Sequence, residues 1–248
     1  MLTVRVLILG GTSEASALAG ALSADDRYDV VTSFAGRTAS PALPPGRTRI
    51  GGFGGTDGLV RYLRDEHIDA LIDATHPFAA VMPWHAHDAG AAAAVPRLRL
   101  YRPGWTAQAG DCWHRVPDLP SAPERLTELD ARRVFLTTGR QELAPFARLS
   151  NIWFLLRSID TPDVPPGMTT AVLLARPPFI VAGELELLLA HNIDTVVTKD
   201  SGAIATVAKL VAARQLGIGV VMVDRPSQPP GLVVATVSEA RHWLASLT

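Results

Sequence analysis

Apolar residues in this chain come in short runs, each cut off by glycine, proline or small polar residues. The first run, Val4-Arg5-Val6-Leu7-Ile8-Leu9, has a single polar member and predicts a strand buried on both faces, as in a parallel sheet. It stops at Gly10-Gly11, where the backbone can turn sharply without a Cβ penalty. Thr12 and Ser13 then offer N-cap oxygens to a helix running through Ala15 to Leu22. Tyr28 to Phe34 predicts a second strand, Arg47 to Ile50 a short third, Ile68 to Ala74 a fourth, and Val95 to Leu100 a fifth. Helices are predicted from Thr56 or Asp57 to Glu66 and through the Ala-rich stretch before Val95. This alternation predicts a parallel sheet with crossover helices.

The rhythm fails between Tyr101 and Glu124, where Gly104, Pro117, Pro120 and Pro123 intervene. A boundary is expected there, giving one domain over residues 1–105 and a second over 106–248. A second series follows it. Strands are predicted at Val134 to Thr138, Ile152 to Arg157, Thr170 to Leu174, Thr195 to Thr198 and Val220 to Val223. Helices are expected from Gly139-Arg140 to about Leu149, from Gly183 to His191, from Thr206 to Leu216, and from Ser238 onward. Both halves therefore read as α/β, in the doubly wound, Rossmann-like manner.

Composition narrows the class. The 248 residues carry a formal net charge of -1, with acids and bases interspersed, which argues against nucleic acid or a membrane surface as partner. No apolar run approaches the ~20 residues needed to span a bilayer, and the N-terminus reads as a strand rather than a leader. Cys112 is the only cysteine, so one chain has neither a disulfide nor a Cys-based metal site. A cytoplasmic protein is expected.

The chemistry concentrates at strand ends, where parallel sheets bind ligands. Gly10-Gly11-Thr12-Ser13 joins a strand to a helix start and suits a phosphate. Ala35-Gly36-Arg37-Thr38 ends the second strand without the acid that marks an NAD site. A guanidinium there fits a 2′-phosphate, so NADP is expected. Gly51-Gly52-Phe53-Gly54-Gly55 offers backbone amides, and Thr75-His76-Pro77-Phe78 lies where a nicotinamide would sit. His85 and His87 point nearly opposite ways on a helix and have no carboxylate partner, so no metal site is expected. The acid-base pair of short-chain dehydrogenases, the nucleophile elbow and the Walker A loop are all absent.

Taken together with Asp73-Ala74 before Thr75, Thr137-Thr138-Gly139-Arg140, Thr198-Lys199-Asp200-Ser201-Gly202 and Ala208-Lys209-Leu210, these motifs resemble the precorrin-6A reductase family of cobalamin biosynthesis. The match runs in order over nearly the whole chain. The resemblance implies NADPH-dependent reduction of one double bond of a tetrapyrrole macrocycle, precorrin-6A, to its dihydro product, precorrin-6B. It implies two Rossmann-like domains with a cleft between them, the first holding NADPH. Cofactor contacts are then expected from Gly10, Gly11, Thr12, Ser13, Gly36, Arg37, Thr38, Gly52, Phe53, Gly54, Gly55, Thr75, His76, Pro77 and Phe78, with His76 as a positioning group in catalysis. Substrate carboxylates are expected at Arg140, Lys199, Asp200, Ser201, Gly202 and Lys209. Other enzymes of the corrin pathway are the remaining implied partners. Two rival readings stay open from the residues: an NADP-dependent reductase of another conjugated small molecule, and a non-catalytic NADP-sensing module.

Overall fold

The computed structural model describes residues 3–36 and 43–247. It divides into two compact units, one reaching to Pro103 and resuming at Pro226, the other spanning Gly104–Arg225. Along the chain the first unit contributes β1 (Val4–Leu9), α1 (Ser13–Ser23), β2 (Tyr28–Phe34), β3 (Arg47–Ile50), α2 (Gly55–Asp65), β4 (Ala70–Asp73), α3 (Met82–Ala93) and β5 (Arg97–Leu100). The second contributes β6 (Trp113–Val116), α4 (Ala122–Glu128), β7 (Arg133–Leu136), β8 (Trp153–Ser158), β9 (Thr169–Leu174), α5 (Val181–Ala190), β10 (Thr195–Lys199), α6 (Ala208–Leu216) and β11 (Gly219–Val223). The chain then returns to the first unit with β12 (Val233–Val234) and α7 (Val237–Ala245).

Each unit is built on a six-stranded sheet, ordered β12-β5-β4-β1-β2-β3 in the first and β6-β11-β10-β7-β8-β9 in the second, and every pairing is parallel. Five strands of each sheet follow the same walk, β1-β2-β3 then back to β4 and β5, and β7-β8-β9 then back to β10 and β11; the sixth, at the edge, is the last strand of the first unit, β12, and the first strand of the second, β6. The alternate residues of β1 show why the strand is apolar throughout. Val6 and Ile8 pack with Leu18 and Leu22 of α1 and Ala240 and Leu244 of α7. Leu7 and Leu9 face the other way, onto Leu59 and Leu63 of α2 and Ala86 and Ala89 of α3. In the second unit Phe135, Val196 and Met222 pack against Leu188 of α5 and Leu210 of α6, and the Phe146 ring meets Phe154 edge-on.

Three features depart from expectation. Residues 141–149 form turns and one 3₁₀ segment, Ala144–Phe146, in place of a helix; Pro145 at its centre removes an amide and resists the α-helical ladder. Strands β6 and β12 and helix α4 lie where the sequence showed no pattern: β6 alternates no apolar face in Trp113-His114-Arg115-Val116, and β12 has only two residues. The second domain does not extend to the C-terminus: α7 closes the first unit's core. Its N-terminus is fixed by a capping box in which Thr236 Oγ1 accepts from the Glu239 amide and Glu239 accepts from the Thr236 amide.

Leu244 is fully buried against that core. Leu244→Ala should therefore cost about 3–5 kcal/mol, measured by denaturant unfolding. Hydrogen exchange should quicken in α1 and not in α5 or α6; the reverse pattern would reassign the C-terminal helix.

Candidate active site at the strand ends

Strand order reverses between β1 and β4 in the first unit and between β7 and β10 in the second. Ligands of open parallel sheets bind outside the carboxyl ends of the strands at such points. In the first unit, Gly10 donates to the Ser33 carbonyl at 2.8 Å. A Cβ on Gly10 would press on Thr32 Cγ2 at 3.0 Å, so the first glycine is set by strand contact. Gly11 has φ +118° and open space around it. Thr12 caps α1 by accepting from the Ala15 amide at 3.1 Å, and its hydroxyl donates to the Ala74 carbonyl at 2.9 Å. One side chain thus staples the β1 turn to the end of β4. Glu14 in the first turn of α1 would repel an anion, but Arg102 is bonded to its carboxylate.

The glycine-rich loop after β3 is held by Arg49, a residue the sequence did not single out. Its guanidinium donates to Ser33 Oγ at 2.9 Å and to the carbonyls of Gly51 at 2.9 Å and Gly52 at 3.0 Å. It also lies 3.8 Å over the Phe53 ring, and Phe53 meets Tyr62 edge-on at 5.1 Å. Gly51, Gly54 and Gly55 all have positive φ. Helix α2 starts at Gly55 with no side-chain cap, leaving its first amides to a ligand or to water. Gly58 matters as much: a Cβ there would overlap the Phe53 carbonyl.

The Thr75-His76-Pro77-Phe78 turn rests on a buried ion pair. Asp73, the last residue of β4, is bonded to Arg99 of β5 at 2.6 Å. Its other oxygen accepts from the Thr75 amide and hydroxyl at 3.1 and 2.7 Å. His76 Nδ1 accepts from the Phe78 amide at 3.2 Å, which puts the proton of a neutral ring on Nε2. The signal in the sequence was Arg99 itself, an arginine at an inward position of a predicted strand.

In the second unit Lys199 ends β10 and pairs with Glu142 from the loop after β7. Arg140 lies 3.6 Å and Arg176 3.8 Å from the Asp160 carboxylate, two guanidiniums on one acid. Arg140, Gln141, Leu143, Thr161 and Pro165 are among the residues lining a cavity of about 400 Å³ here. Asp200 is turned inward: it accepts from the Trp105 amide at 2.8 Å and from Arg115 at 2.9 Å. Its own carbonyl accepts from Arg225 at 2.7 Å. Ser201 is buried beside it and Gly202 has φ +68°. Lys209, expected among the surface donors, is buried in the first turn of α6.

The family model for precorrin-6x reductase CbiJ/CobK matches residues 5–245. The chain belongs to the precorrin-6x reductase family. A precorrin-6A reductase from Rhodococcus erythropolis is 49% identical over 245 residues, covering 98% of both chains. A solved structure described as CobK precorrin-6A reductase has a TM-score of 0.92 at 45% identity, covering 99% of this chain and 97% of that one. A cobalt-precorrin-6A reductase from Priestia megaterium is more distant, at 29% identity over 262 residues and 98% and 99% coverage.

The reductase thus brings Gly10, Gly11, Thr12, Ser13, Gly36, Gly52, Phe53, Gly54, Gly55 and Thr75 to Phe78 to the carboxyl ends of β1 to β4. Arg37 and Thr38 lie outside the described residues. The set fits a nucleotide in two respects: three positive-φ glycines clear side chains from the loop, and α2 presents uncapped amides. Among described residues no helix is long and apolar enough to cross a membrane.

Glycine substitutions separate fit from flexibility. A methyl group on Gly20 of α1 would meet nothing within 4 Å, so Gly20→Ala should stabilise by about 0.5–1 kcal/mol. Gly58→Ala must displace the Phe53 carbonyl and should destabilise by about 1–3 kcal/mol, with faster hydrogen exchange at 51–55. Paired thermal melts check both signs.

Proposed function

We propose that this reductase uses NADPH to reduce one double bond of precorrin-6A, giving precorrin-6B in cobalamin biosynthesis. The observation that carries the substrate is the contrast in identity. The Rhodococcus erythropolis protein named for precorrin-6A stands far nearer to this chain than the one named for the cobalt-containing ring. The ring is therefore taken as metal-free. NADPH supplies the hydride when bound, so the chain needs to align donor and acceptor more than to provide an acid-base pair. A cytoplasmic setting, where a lone cysteine stays reduced, agrees with this.

Two strand-order reversals, one in each unit, support a reading with two ligand sites and a division of labour between them. The first unit takes the cofactor: the β1 turn and α2 start receive the pyrophosphate, Arg37 and Thr38 the 2′-phosphate, and the Thr75 to Phe78 turn the nicotinamide end. His76 positions the reactants through Nε2. The second unit takes the polycarboxylate. Support comes from Arg140, Arg176 and Lys199 at its strand ends, and from Ile180 and Ile204. These two are 71% and 90% exposed in segments joined by the Phe179 amide and Ala205 carbonyl. An apolar seat near cations suits a flat ring edged with carboxylates.

Cofactor affinities test the first half. Arg37→Ala should weaken NADPH by about 1.5–3 kcal/mol, roughly 10- to 150-fold, and leave NADH nearly unchanged. Arg49→Ala should weaken both alike, because Arg49 holds the loop and not the phosphate. Equal losses for Arg37→Ala would remove the NADP assignment. For the second half, Lys199→Ala should raise the KM for precorrin-6A while the NADPH Kd stays within error; a matched loss of NADPH affinity would overturn the division.

A further inference from the structure

A second group of charges lies in the interior of the second unit, apart from the strand-end turns. Lys209 is 3% exposed. Its Nζ donates to the Thr206 carbonyl at 2.8 Å and sits 4.9 Å from the centre of the Trp105 ring. Among the described residues no carboxylate lies within ion-pairing distance of it. The charged groups facing it are Arg157 from β8 and Glu184 from α5, and these are bonded to each other. The Arg157 guanidinium also lies 3.7 Å over Phe179 and 4.7 Å over Phe135. With Lys209 protonated, two cations and one anion are thus held out of water, a net positive charge in the core.

Such a charge opposes folding. Burial, and then repulsion from Arg157, pull the Lys209 ammonium down to a pKa of about 7, with Glu184 acting the other way. A methionine would fill the same space without that cost. The ammonium's direct bond goes to Thr206, the last residue of the 3₁₀ turn Ile204–Thr206, which follows the turn of Lys199, Asp200, Ser201 and Gly202. The preceding carbonyl, of Ala205, is the one that accepts from Phe179 at 3.0 Å. The buried cation is therefore tied to the 3₁₀ turn that follows the turn at the β10 end.

We infer that Lys209 is a positioning residue for the anionic substrate: a buried group that, when protonated, holds the 204–206 turn and adds positive potential to the segment that follows β10. This rests on the reading that the second unit receives the polycarboxylate. Water screens a charge poorly in this interior, so its field reaches a docked carboxylate with more force than a surface lysine's would. Substrate binding then relieves a cost that folding leaves unrelieved.

Lys209→Met separates this from a packing role. At pH 6 the variant should melt at or above the wild-type temperature. The sign follows from linkage: a lysine depressed in the folded state destabilises fully below about pH 7, and the wild type regains stability as pH rises toward the unfolded value. The variant's advantage should therefore shrink between pH 7 and about 10. Its KM for precorrin-6A at pH 6 should be raised roughly tenfold, with the NADPH Kd unchanged. The wild-type KM should climb toward the variant's value above about pH 7, a step the variant lacks. Lys209→Arg, which keeps the charge without titrating, should retain a low KM at every pH.

A Met variant that fails to fold, or that folds with an unchanged KM, overturns the inference. So does an Arg variant whose KM matches that of Met. If Lys199→Ala also leaves KM unchanged, the fault lies with the reading of the second unit; if Lys199→Ala raises it and Lys209→Met does not, only the role of Lys209 fails.

Discussion

The second unit depends on what one buried carboxylate holds. Asp200 follows directly on β10 and takes a backbone amide from Trp105, a guanidinium from Arg115 on β6, and, at its carbonyl, a guanidinium from Arg225. Trp105 stands where the chain comes into the unit and Arg225 where it leaves. A buried carboxylate is costly unless its oxygens are met by well-aligned donors, and here each oxygen has one. Gly104 completes the arrangement, since a Cβ there would come within 2.7 Å of Asp200 Oδ2. Both ends of the second unit's chain are thereby fixed to the strand end that flanks Lys199. The first unit uses the same device at the same topological position. Asp73 closes β4 and binds Arg99 of β5, and the turn that follows hangs from its second oxygen.

The path of the chain has a consequence for how each sheet is completed. Strand β6, the edge beside β11, comes from chain that has just left the first unit; β12, the edge beside β5, comes from chain that has just left the second. The second unit is continuous in sequence, so it can form as soon as its residues are together. The first is not. The face of α1 that carries Leu18 and Leu22 is covered by Ala240 and Leu244 only when the last helix returns. Until then a sheet with one face partly bare has less apolar burial to set against its chain entropy.

What was legible in the sequence was whatever a local pattern encodes. The apolar runs marked the central strands because parallel strands are buried on both sides, and residue type at their ends marked the turns. The missing pieces are those whose identity is decided by distant partners. Nothing in Trp113-His114-Arg115-Val116 or Val233-Val234 distinguishes a strand from a loop; pairing with Val220–Val223 and Arg99–Leu100 does. Pro145 spoiled a helix that its neighbours alone would allow. Arg49 went unseen because its role is to grip carbonyls of a loop, and carbonyls leave no mark in a sequence. The return of residues 226–248 is likewise a matter of which surface needed covering.

Motif residues of one chemical type also turn out to have different work. Thr12 and Asp200 look like ligand groups when read as letters, yet their side chains, like that of Asp73, are taken up by the scaffold. Thr12 serves the helix cap and the β4 end, Asp73 the Arg99 pair, and Asp200 the two ends of the second unit's chain. Lys199, Arg140 and Arg176 lie at the ends of β10, β7 and β9 in the second unit, where three cations meet the two acids Glu142 and Asp160. The first set fixes the backbone, and the backbone amides it fixes are what an anion meets at a helix start or a glycine turn. The second set is held by ion pairs to neighbouring acids. A rigid inner layer that consumes its own polar groups leaves the backbone donors around it preorganised, and preorganised donors do not have to be rearranged at the moment of binding.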